Sequence, residues 1–585
     1  MKSLWEIPFF RSRSLLAILA GLLWTGAFPK IGIAGFAWIA PGLMIAAALG
    51  KRGSEVFRLG YIAGLTHYLT MLYWLLLIPY RWHGVPLAPA LGWLALGAFL
   101  ALFPAAWVFC CVHSPQSTVH SRQSGVQSPK SKVQSPESVA EPELDARYTG
   151  VLARSWLGRT AWAMGGAAAW VGWEMILARI LGGFPWDLLG VSQYHMLPLI
   201  QVASVTAVYG VSFMVVWVSL ALLSAGLMVI RRPTARSVWV GEIFAPMLGV
   251  AILFNAGIRE LGKEVAPSRS IKVAFVQPSI PQTLIWDAKN DSDRFRELIR
   301  LSEQALQEPT ELLLWPESAV PKMIRYDQEI FDAITNLAAS HHTWVILVSD
   351  DAEPRLGSQN PREANYFNSS FLVSPEGKLV ERYVKRNLVI FGEYVPLKEW
   401  MPFLKYFTPI EGGFTPGTHA IPFVMKGLDL KVQILICFED VFPHLVRKDT
   451  DADTDLLVNL TNDGWFGEGA AQWQQAASAL FRAIENRVPL LRSSNNGLTC
   501  WIDAYGRFAQ IFRDDRGTVY GPGVMKAEIP VRAPGQRREL TFYTRHGDWF
   551  GWSCLTIAMG WAGIRIVRWR LVRKSETRKA KSETN

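Results

Sequence analysis

The chain opens with long apolar runs separated by short polar breaks, changes after about residue 260 to short strands alternating with amphipathic helices, and closes on one more apolar run. Lys30 is the only charged residue from Ser14 to Gly50, and none occurs from Leu59 to Tyr80, from Gly84 to Val112 or from Leu188 to Ile230. Stretches of this length reach or exceed the ~20 residues with which a helix crosses a bilayer. Runs and breakers together predict helices over 14–28, 32–50, 57–78, 87–112, 158–179, 199–230, 237–257 and 549–567, a polytopic α-helical membrane bundle of eight spans. The first two are short and share the Phe28-Pro29-Lys30 turn. A cleaved signal peptide over 1–28 is the simpler alternative, and the want of a clear small-x-small cleavage site and the apolar runs that follow weigh against it.

Charge then orients the bundle. Only 18% of the 585 residues are charged and 50% are hydrophobic, against about 25% charged in ordinary soluble domains, so neither a disordered chain nor a nucleic-acid-wrapping one is expected. With Lys2, Arg11 and Arg13 inside, the inner segments also hold Lys51-Arg52, Arg154, Arg159 and Arg231-Arg232, together with a tail bearing eight basic residues from Arg565 to Lys581. The outer short loops hold little beyond Lys30, Arg81 and Arg179, as the positive-inside rule requires. The net charge of +10 thus reads as a topology signal. It places residues 260–547, which have soluble composition, on the outer face of a plasma membrane.

The expected division is membrane helices over 1–112 and 156–259, an outer domain over 260–547, a last helix over 548–570 and a basic cytoplasmic tail over 571–585. Residues 113–155 repeat a Gln-Ser-Pro unit and lack large apolar groups, so they cannot bury enough surface to fold and are expected to form a cytoplasmic linker. Cys110, Cys111 and Cys554 fall in predicted spans, where cysteine serves as a small hydrophobe. Glu174 and Glu242 are the acids found within spans, and they are expected to face the interface or neighbouring helices.

In the outer region SIKVAFVQP, ELLLWPES, TWVILVSDD, SSFLVSP, LKVQILICFED, DLLVNLTND and NGLTCWIDAYGRF read as strands. DSDRFRELIRLSEQALQE, YDQEIFDAITNLAASHH and AAQWQQAASALFRAIENR read as amphipathic helices, giving a layered α/β domain. Polar clusters lie just past the strand ends, where α/β sheets place their sites: Glu317, then Lys385 and Glu393, then Cys437 and Glu439. Taken singly, a strand-end cysteine or lysine is more often structural. A Glu-Lys-Cys order on three strand ends is far more specific.

The strings WPES, KRNLVIFGEYVP and ICFED resemble the three catalytic strings of the carbon–nitrogen hydrolase (nitrilase) superfamily. With the flanking helices, the chain resembles the apolipoprotein N-acyltransferase family over nearly its whole length, sparing 113–155 and the basic tail. The resemblance implies an outer nitrilase-like α-β-β-α sandwich whose catalytic Glu, Lys and Cys map onto Glu317, Lys385 and Cys437. QPSIPQTLIWD, with Trp286, and NLTNDGWFG, with Asn462 and Trp465, match further family strings. The sequence departs at Asn387, commonly His, at Ile390, often Pro, and at Phe438, often Tyr. The implied reaction is ping-pong: Cys437 takes an acyl group from a phospholipid donor as a thioester and passes it to the α-amine of a diacylglyceryl-cysteine lipoprotein acceptor, the last step of lipoprotein maturation at the bacterial inner membrane, on its periplasmic side.

The chemistry also stands on the residues. A free thiol is only a few per cent thiolate at pH 7, and an adjacent ammonium such as Lys385 is expected to lower its pKa. Glu317 suits a base that takes the thiol proton and returns it to the leaving group. Lys385 and the backbone N–H after Cys437 would face the oxyanion, while Glu393 and Glu439 orient Lys385 or the amine. The aromatic, Pro-rich segment 391–417 and the DGWFGEG string, with Trp465 and Phe466, are candidate lips at the lipid interface. No His-Glu-x-x-His or paired Cys-x-x-Cys occurs, and neither metal nor cofactor is expected. A membrane-tethered hydrolase and an inactive scaffold are the competing classes.

Overall fold

The computed structural model describes residues 12–78, 87–112, 154–231, 236–263, 269–285, 287–355, 363–396, 400 and 413–583. Residues 113–153, Trp286 and most of the 391–417 segment lie outside the described residues.

All eight apolar stretches are helical for most of their length: α1 Arg13–Gly26, α2 Ala40–Ala48, α3 Ser54–Met71, the consecutive α4 Ala88–Leu100 and α5 Leu102–Val112, α6 Trp156–Leu177, α7 Val208–Arg231, α8 Arg236–Leu261, and, at the end of the chain, Trp549–Glu583. Among the described residues three segments are both long and apolar enough to cross a membrane: Ala88–Val112, Val208–Ile230 and Trp239–Leu261. The others are short, as α1 is, or diluted by polar and small residues, as α3 is by Thr66, His67 and Thr70. Small residues let these helices approach closely; a Cβ on Gly64 of α3 would collide with Pro104 Cγ of α5.

One sequence expectation changes here. The single span expected over 199–230 is broken into the one-turn helices Leu197–Ile200 and Ala203–Thr206 before α7 begins. The break falls at Ala207, which has a positive φ of 55°, and the N–H of Val208 that follows is taken by Glu485 Oε1 of the outer domain at 3.0 Å. Of the two placements expected for Glu242, the structure takes the one toward neighbouring helices: it is buried in an ion pair with Arg159 of α6, the helix that carries Glu174, and it accepts a hydrogen bond from Ser224 of α7 at 2.6 Å. Breaking such a buried pair strands a charge, so the contact ties α6, α7 and α8 together.

The remaining chain forms two six-stranded sheets of matching order. The first runs β12-β1-β2-β3-β4-β5 and the second β11-β10-β9-β8-β7-β6, with β1 Arg269–Gln277, β2 Leu312–Leu314, β3 Trp344–Pro354, β4 Ala364–Val373, β5 Leu379–Val384, β6 Phe423–Met425, β7 Leu430–Ile436, β8 Leu456–Thr461, β9 Leu490–Ser494, β10 Cys500–Ile502, β11 Phe508–Ile511 and β12 Gly523–Val531. In each sheet three parallel strands (β1–β3, β7–β9) are flanked by antiparallel ones. Alternate residues such as Val273, Leu314, Ile346, Ile434 and Val458 fill the space between the sheets. The outer face of the first sheet packs on α9 Asp291–Ala305 and α10 Gln328–His341. The second is covered by α11 Pro443–Asp449 and α12 Ala471–Asn486. This is the expected α-β-β-α sandwich. A short α13, Phe542–His546, then leads into α14, the closing helix Trp549–Glu583.

α12 carries the domain on the membrane half. Every side chain it bears except Trp473 is buried, and its core is continuous with that of the bundle. Its polar face finds partners there: Gln474 Oε1 accepts from the indoles of Trp74 and Trp186 at 3.0 Å each, and Gln474 Nε2 donates to the Pro29 carbonyl at 3.1 Å. The Phe466 ring meets Trp74 edge-on at 4.4 Å, so this residue joins the outer domain to the bundle instead of forming a free lip.

Candidate active site

β2, β5, β7 and β8 bring Glu317, Lys385, Cys437 and Asn462 to their carboxyl ends. β7 ends at Ile436, and the chain turns into a 3₁₀ segment, Cys437–Val441, through a Cys437 φ of 57°. A non-glycine residue adopts this left-handed region at a cost, and here the turn is held by hydrogen bonds. The Cys437 carbonyl accepts from Asn459 Nδ2 at 2.7 Å and from Gln475 Nε2 of α12 at 3.0 Å. Glu439, fully buried, folds back on the turn and accepts from the N–H groups of Ile436 (2.8 Å), Arg386 (2.9 Å) and Asn387 (3.1 Å) and from the Tyr383 hydroxyl. Glu439 therefore clamps the Lys385 strand end to the cysteine turn and does not face the ammonium, contrary to the orienting role read from the sequence. Asn387 is engaged there through its backbone, which explains why the departure from His at this position leaves the clamp intact.

The Lys385 ammonium, 1% exposed, lies between Glu393 Oε1 at 2.8 Å and Glu317 Oε1 at 3.4 Å. Asn368 of β4 completes the arrangement: its Nδ2 donates to Glu317 Oε1 at 2.8 Å and to Glu393 Oε1 at 3.0 Å. Glu317 Oε2 accepts the Asn462 N–H at 3.1 Å, and Glu393 Oε2 accepts that of Val389 at 2.8 Å. The Phe438 ring lies 5.7 Å from Lys385 Nζ and packs edge-on against Phe442, so position 438 contributes a ring face. The Asn462 side chain is tied to Gln282 and Asn495, while Trp465 is half-buried in the turn Asp463–Phe466 that follows.

The electrostatics revise one expectation. Burial opposes the Lys385 charge, but the carboxylates of Glu393 and Glu317 beside it outweigh that and hold the ammonium well above its ordinary pKa. Burial pushes the Cys437 thiol well above its ordinary value; Glu317, Glu393 and Asp463 push the same way, and Lys385 is the one group pulling it down. The thiol is thus raised, not lowered as expected from an adjacent lysine, because burial first and then the carboxylates outweigh that lysine's charge.

Three residues carry no signal in the strings above. Asn368 sits in an ordinary strand sequence. Asp350 of β3 has its carboxyl pushed up to about 7 by burial and by Glu317 and Glu393. Arg492 of β9, fully buried, bonds Asp463 at 2.7 and 2.8 Å, Asp440 at 3.3 Å and Asn459 at 2.8 Å, bracing the cysteine turn from behind. Cys500 is buried on β10 with its thiol raised to about 12, and both it and Cys437 are free.

A strand-end cysteine on a strained turn, with a carboxylate and a buried ammonium on neighbouring strand ends of a double-sheet sandwich, defines a nitrilase-type site for acyl chemistry. The comparisons agree. Residues 272–529 match the carbon-nitrogen hydrolase family, and residues 20–123 and 145–221 match the apolipoprotein N-acyltransferase N-terminal domain. The chain is 32% identical over 561 residues to the apolipoprotein N-acyltransferase of Geobacter metallireducens, covering 95% of each, and 31% identical over 343 residues to that of Rickettsia prowazekii, covering 58% of this chain and 66% of that one. A solved nitrilase-superfamily amidase from Nesterenkonia aligns with 46% of this chain and 94% of its own at 14% identity and a TM-score of 0.33, too loose a likeness to add weight. This chain belongs to the apolipoprotein N-acyltransferase family.

Proposed function

We propose that the protein transfers an acyl chain from a membrane phospholipid to the α-amine of a diacylglyceryl-cysteine lipoprotein through a thioester on Cys437. The observation that carries this reading is the buried Lys385 ammonium held between Glu317 and Glu393 at the strand ends beside Cys437, in a domain whose helix α12 is embedded in an apolar bundle. A soluble amide would need no such platform. An acyl donor drawn from a bilayer does.

In the first half-reaction Glu317 takes the Sγ proton as the sulfur attacks the donor's ester carbonyl. Lys385 and the Phe438 N–H face the developing oxyanion, the kind of preorganised donation worth about 3–4 kcal/mol. On collapse the C–O bond breaks, and Glu317 passes its proton to the departing lysophospholipid hydroxyl. In the second, the neutral amine attacks the thioester, the C–S bond breaks, and the amine proton travels through Glu317 to the cysteine sulfur. Asn368 and Glu393 keep Glu317 and Lys385 in register throughout. All eight apolar helices cross or enter the membrane in this reading, with Lys2 and the basic tail inside and the catalytic domain on the periplasmic side of the inner membrane.

Intact-mass and peptide mass spectrometry of the purified protein tests the scheme. Incubation with phospholipid should leave an acyl adduct on Cys437 that disappears when a diacylglyceryl-cysteinyl peptide is added. Release of free fatty acid with no adduct and no acylated peptide would instead make the protein a hydrolase.

A further inference from the structure

Asn368 of β4 holds both carboxylates of the site with one side-chain nitrogen. Its amide can be oriented only one way, because Glu317 and Glu393 are both acceptors and the donor must face them. Oδ1 therefore points elsewhere. Asn368 is 5% exposed, and this oxygen is buried with no hydrogen-bond partner. Such orphans are rare in native structures, and this one belongs to the residue that keeps base and ammonium in register. The Ser370 hydroxyl, two residues along on the same face, is also without a partner, so it does not serve Oδ1.

The sheet sets one polar group opposite. Asp350 of β3 is the cross-strand partner of Asn368. Ile346 and Val348 of β3 and Leu372 of β4 fill the space between the sheets, and strand alternation carries Asp350 and Asn368 to that same face. The Lys385 N–H bonds the Asn368 carbonyl at 2.9 Å, which turns the Asn368 backbone groups toward β5. Its pairing with Asp350 is thus the kind without backbone hydrogen bonds, in which opposed Cα atoms stand about 4.5 Å apart and side chains come closest. A carboxylate there could only accept, whereas a carboxylic acid donates.

The surrounding charges favour the acid. Glu317 follows β2 and Glu393 follows β5, and the Lys385 ammonium at the end of β5 is already shared between them. The neighbouring Asp351 alternates to the opposite face, paired with Arg325 and Arg382, and in the facing sheet the Cys437 thiol stands at the end of β7. Burial, then Glu317, Glu393 and Asp351, push the Asp350 carboxyl up to about 7. Asp350 is half-buried, so its proton can exchange with water.

We infer that Asp350 is a positioning residue of this site, whose carboxyl O–H donates to Asn368 Oδ1 and thereby fixes the amide that aligns Glu317 with Lys385. The bond is present while the carboxyl is protonated and is lost as pH rises through its pKa, because the resulting carboxylate is a second acceptor facing Oδ1. That this alignment serves acylation of Cys437 rests on the acyl-transfer reading; the bond itself does not.

Two measurements on the full chain in detergent micelles test this. In infrared difference spectra of wild type against Asp350→Asn, a carboxylic acid carbonyl band should be present in wild type at about pH 6, lost by about pH 9, and missing from the variant. In single-turnover acylation of Cys437 by a fluorescent phospholipid at about pH 6, Asp350→Ala should be about tenfold slower than wild type, the effect of leaving a buried acceptor unpaired. Asp350→Asn, whose amide donates without titrating, should recover most of that loss. The advantage of wild type over Asp350→Ala should vanish toward pH 9, and that of Asp350→Asn should persist. No wild-type acid band, an asparagine variant no faster than the alanine one, or a wild-type advantage independent of pH would each overturn the inference. A wild-type protein that forms no acyl adduct would fault the acyl-transfer reading alone, and the infrared difference would still decide the state of Asp350.

Discussion

The raised thiol of Cys437 makes Glu317→Gln and Lys385→Met separable by pH. Thiolate appears as pH rises through the thiol's pKa, so hydroxide can replace a missing base but cannot replace a missing cation. In the native site Glu317 raises that pKa and Lys385 lowers it. Glu317→Gln therefore lowers the thiol's pKa and Lys385→Met raises it. At a given pH the first variant should thus hold more thiolate than the second. At neutral pH both are slow, the first by the ~10²–10⁴-fold worth of a general base. Between pH 6.5 and 9.5 Glu317→Gln should recover part of its single-turnover acylation by a fluorescent phospholipid, and Lys385→Met less. Lys385→Met also strands two buried carboxylates, at a cost of about 3–5 kcal/mol, so rates are compared at a temperature where both variants are folded by circular dichroism. Equal recovery of the two, or none for Glu317→Gln, would refute this division of labour.

Cys437→Ser should abolish the acyl adduct in mass spectra, whereas Cys500→Ser, at a buried thiol held near 12 on a strand away from the Glu317–Lys385 cluster, should leave activity close to wild type; equal losses would unseat the nucleophile. Asn368→Ala removes one amide that steadies both carboxylates, and should slow acylation about 10- to 100-fold, the effect of losing a charge-assisted bond of about 1.5–3 kcal/mol, with Asn368→Gln recovering none of it if position rather than polarity matters. Gln474→Ala leaves two indoles and the Pro29 carbonyl unpaired, an expected loss of roughly 3 kcal/mol seen as a melting temperature lowered by several degrees; an unchanged melting curve would mean that α12 is not a principal joint between domain and bundle.

The strands and helices of the outer domain were legible wherever apolar alternation or amphipathic spacing was strong, as in β1, β3, β7 and α9. β5, β6, β9 and β12 were not: GVMKAEIPV of β12 opens on glycine and carries a proline, LVERYV, FVM and LLRSS are short, and β9 carries Arg492, a residue no buried strand pattern would lead one to expect. It is buried all the same because Asp440, Asp463 and Asn459 converge on it from other elements, a compensation that exists only in three dimensions. α12 shows the same limit from another side. Its glutamines, Ser478, Arg482 and Glu485 read as the solvated face of an amphipathic helix, and that face is instead sealed against the bundle, where Glu485 even caps the start of α7.

At the site, the positions of Glu317, Lys385 and Cys437 could be read because a strand end has a local signature. What those residues do to one another could not. A lysine near a cysteine on paper lowers the thiol; here burial, with Glu317 and Glu393 held by the otherwise unremarked Asn368, outweighs that lysine and pushes the thiol up, and in the proposed scheme it is deprotonated only as Glu317 takes its proton. That arrangement suits the proposed two-step transfer better than a standing thiolate would. A thiolate generated only as the sulfur attacks is less open to oxidation and stray acylation while the site waits for lipid, and the proton stored on Glu317 is then on hand for the lysophospholipid oxygen. The same carboxylate, empty again after the first leaving group departs, is the base the incoming amine requires. One proton acceptor thus serves both halves of the reaction, on condition that Lys385 keeps its charge throughout, and the two carboxylates that hold it there provide for that.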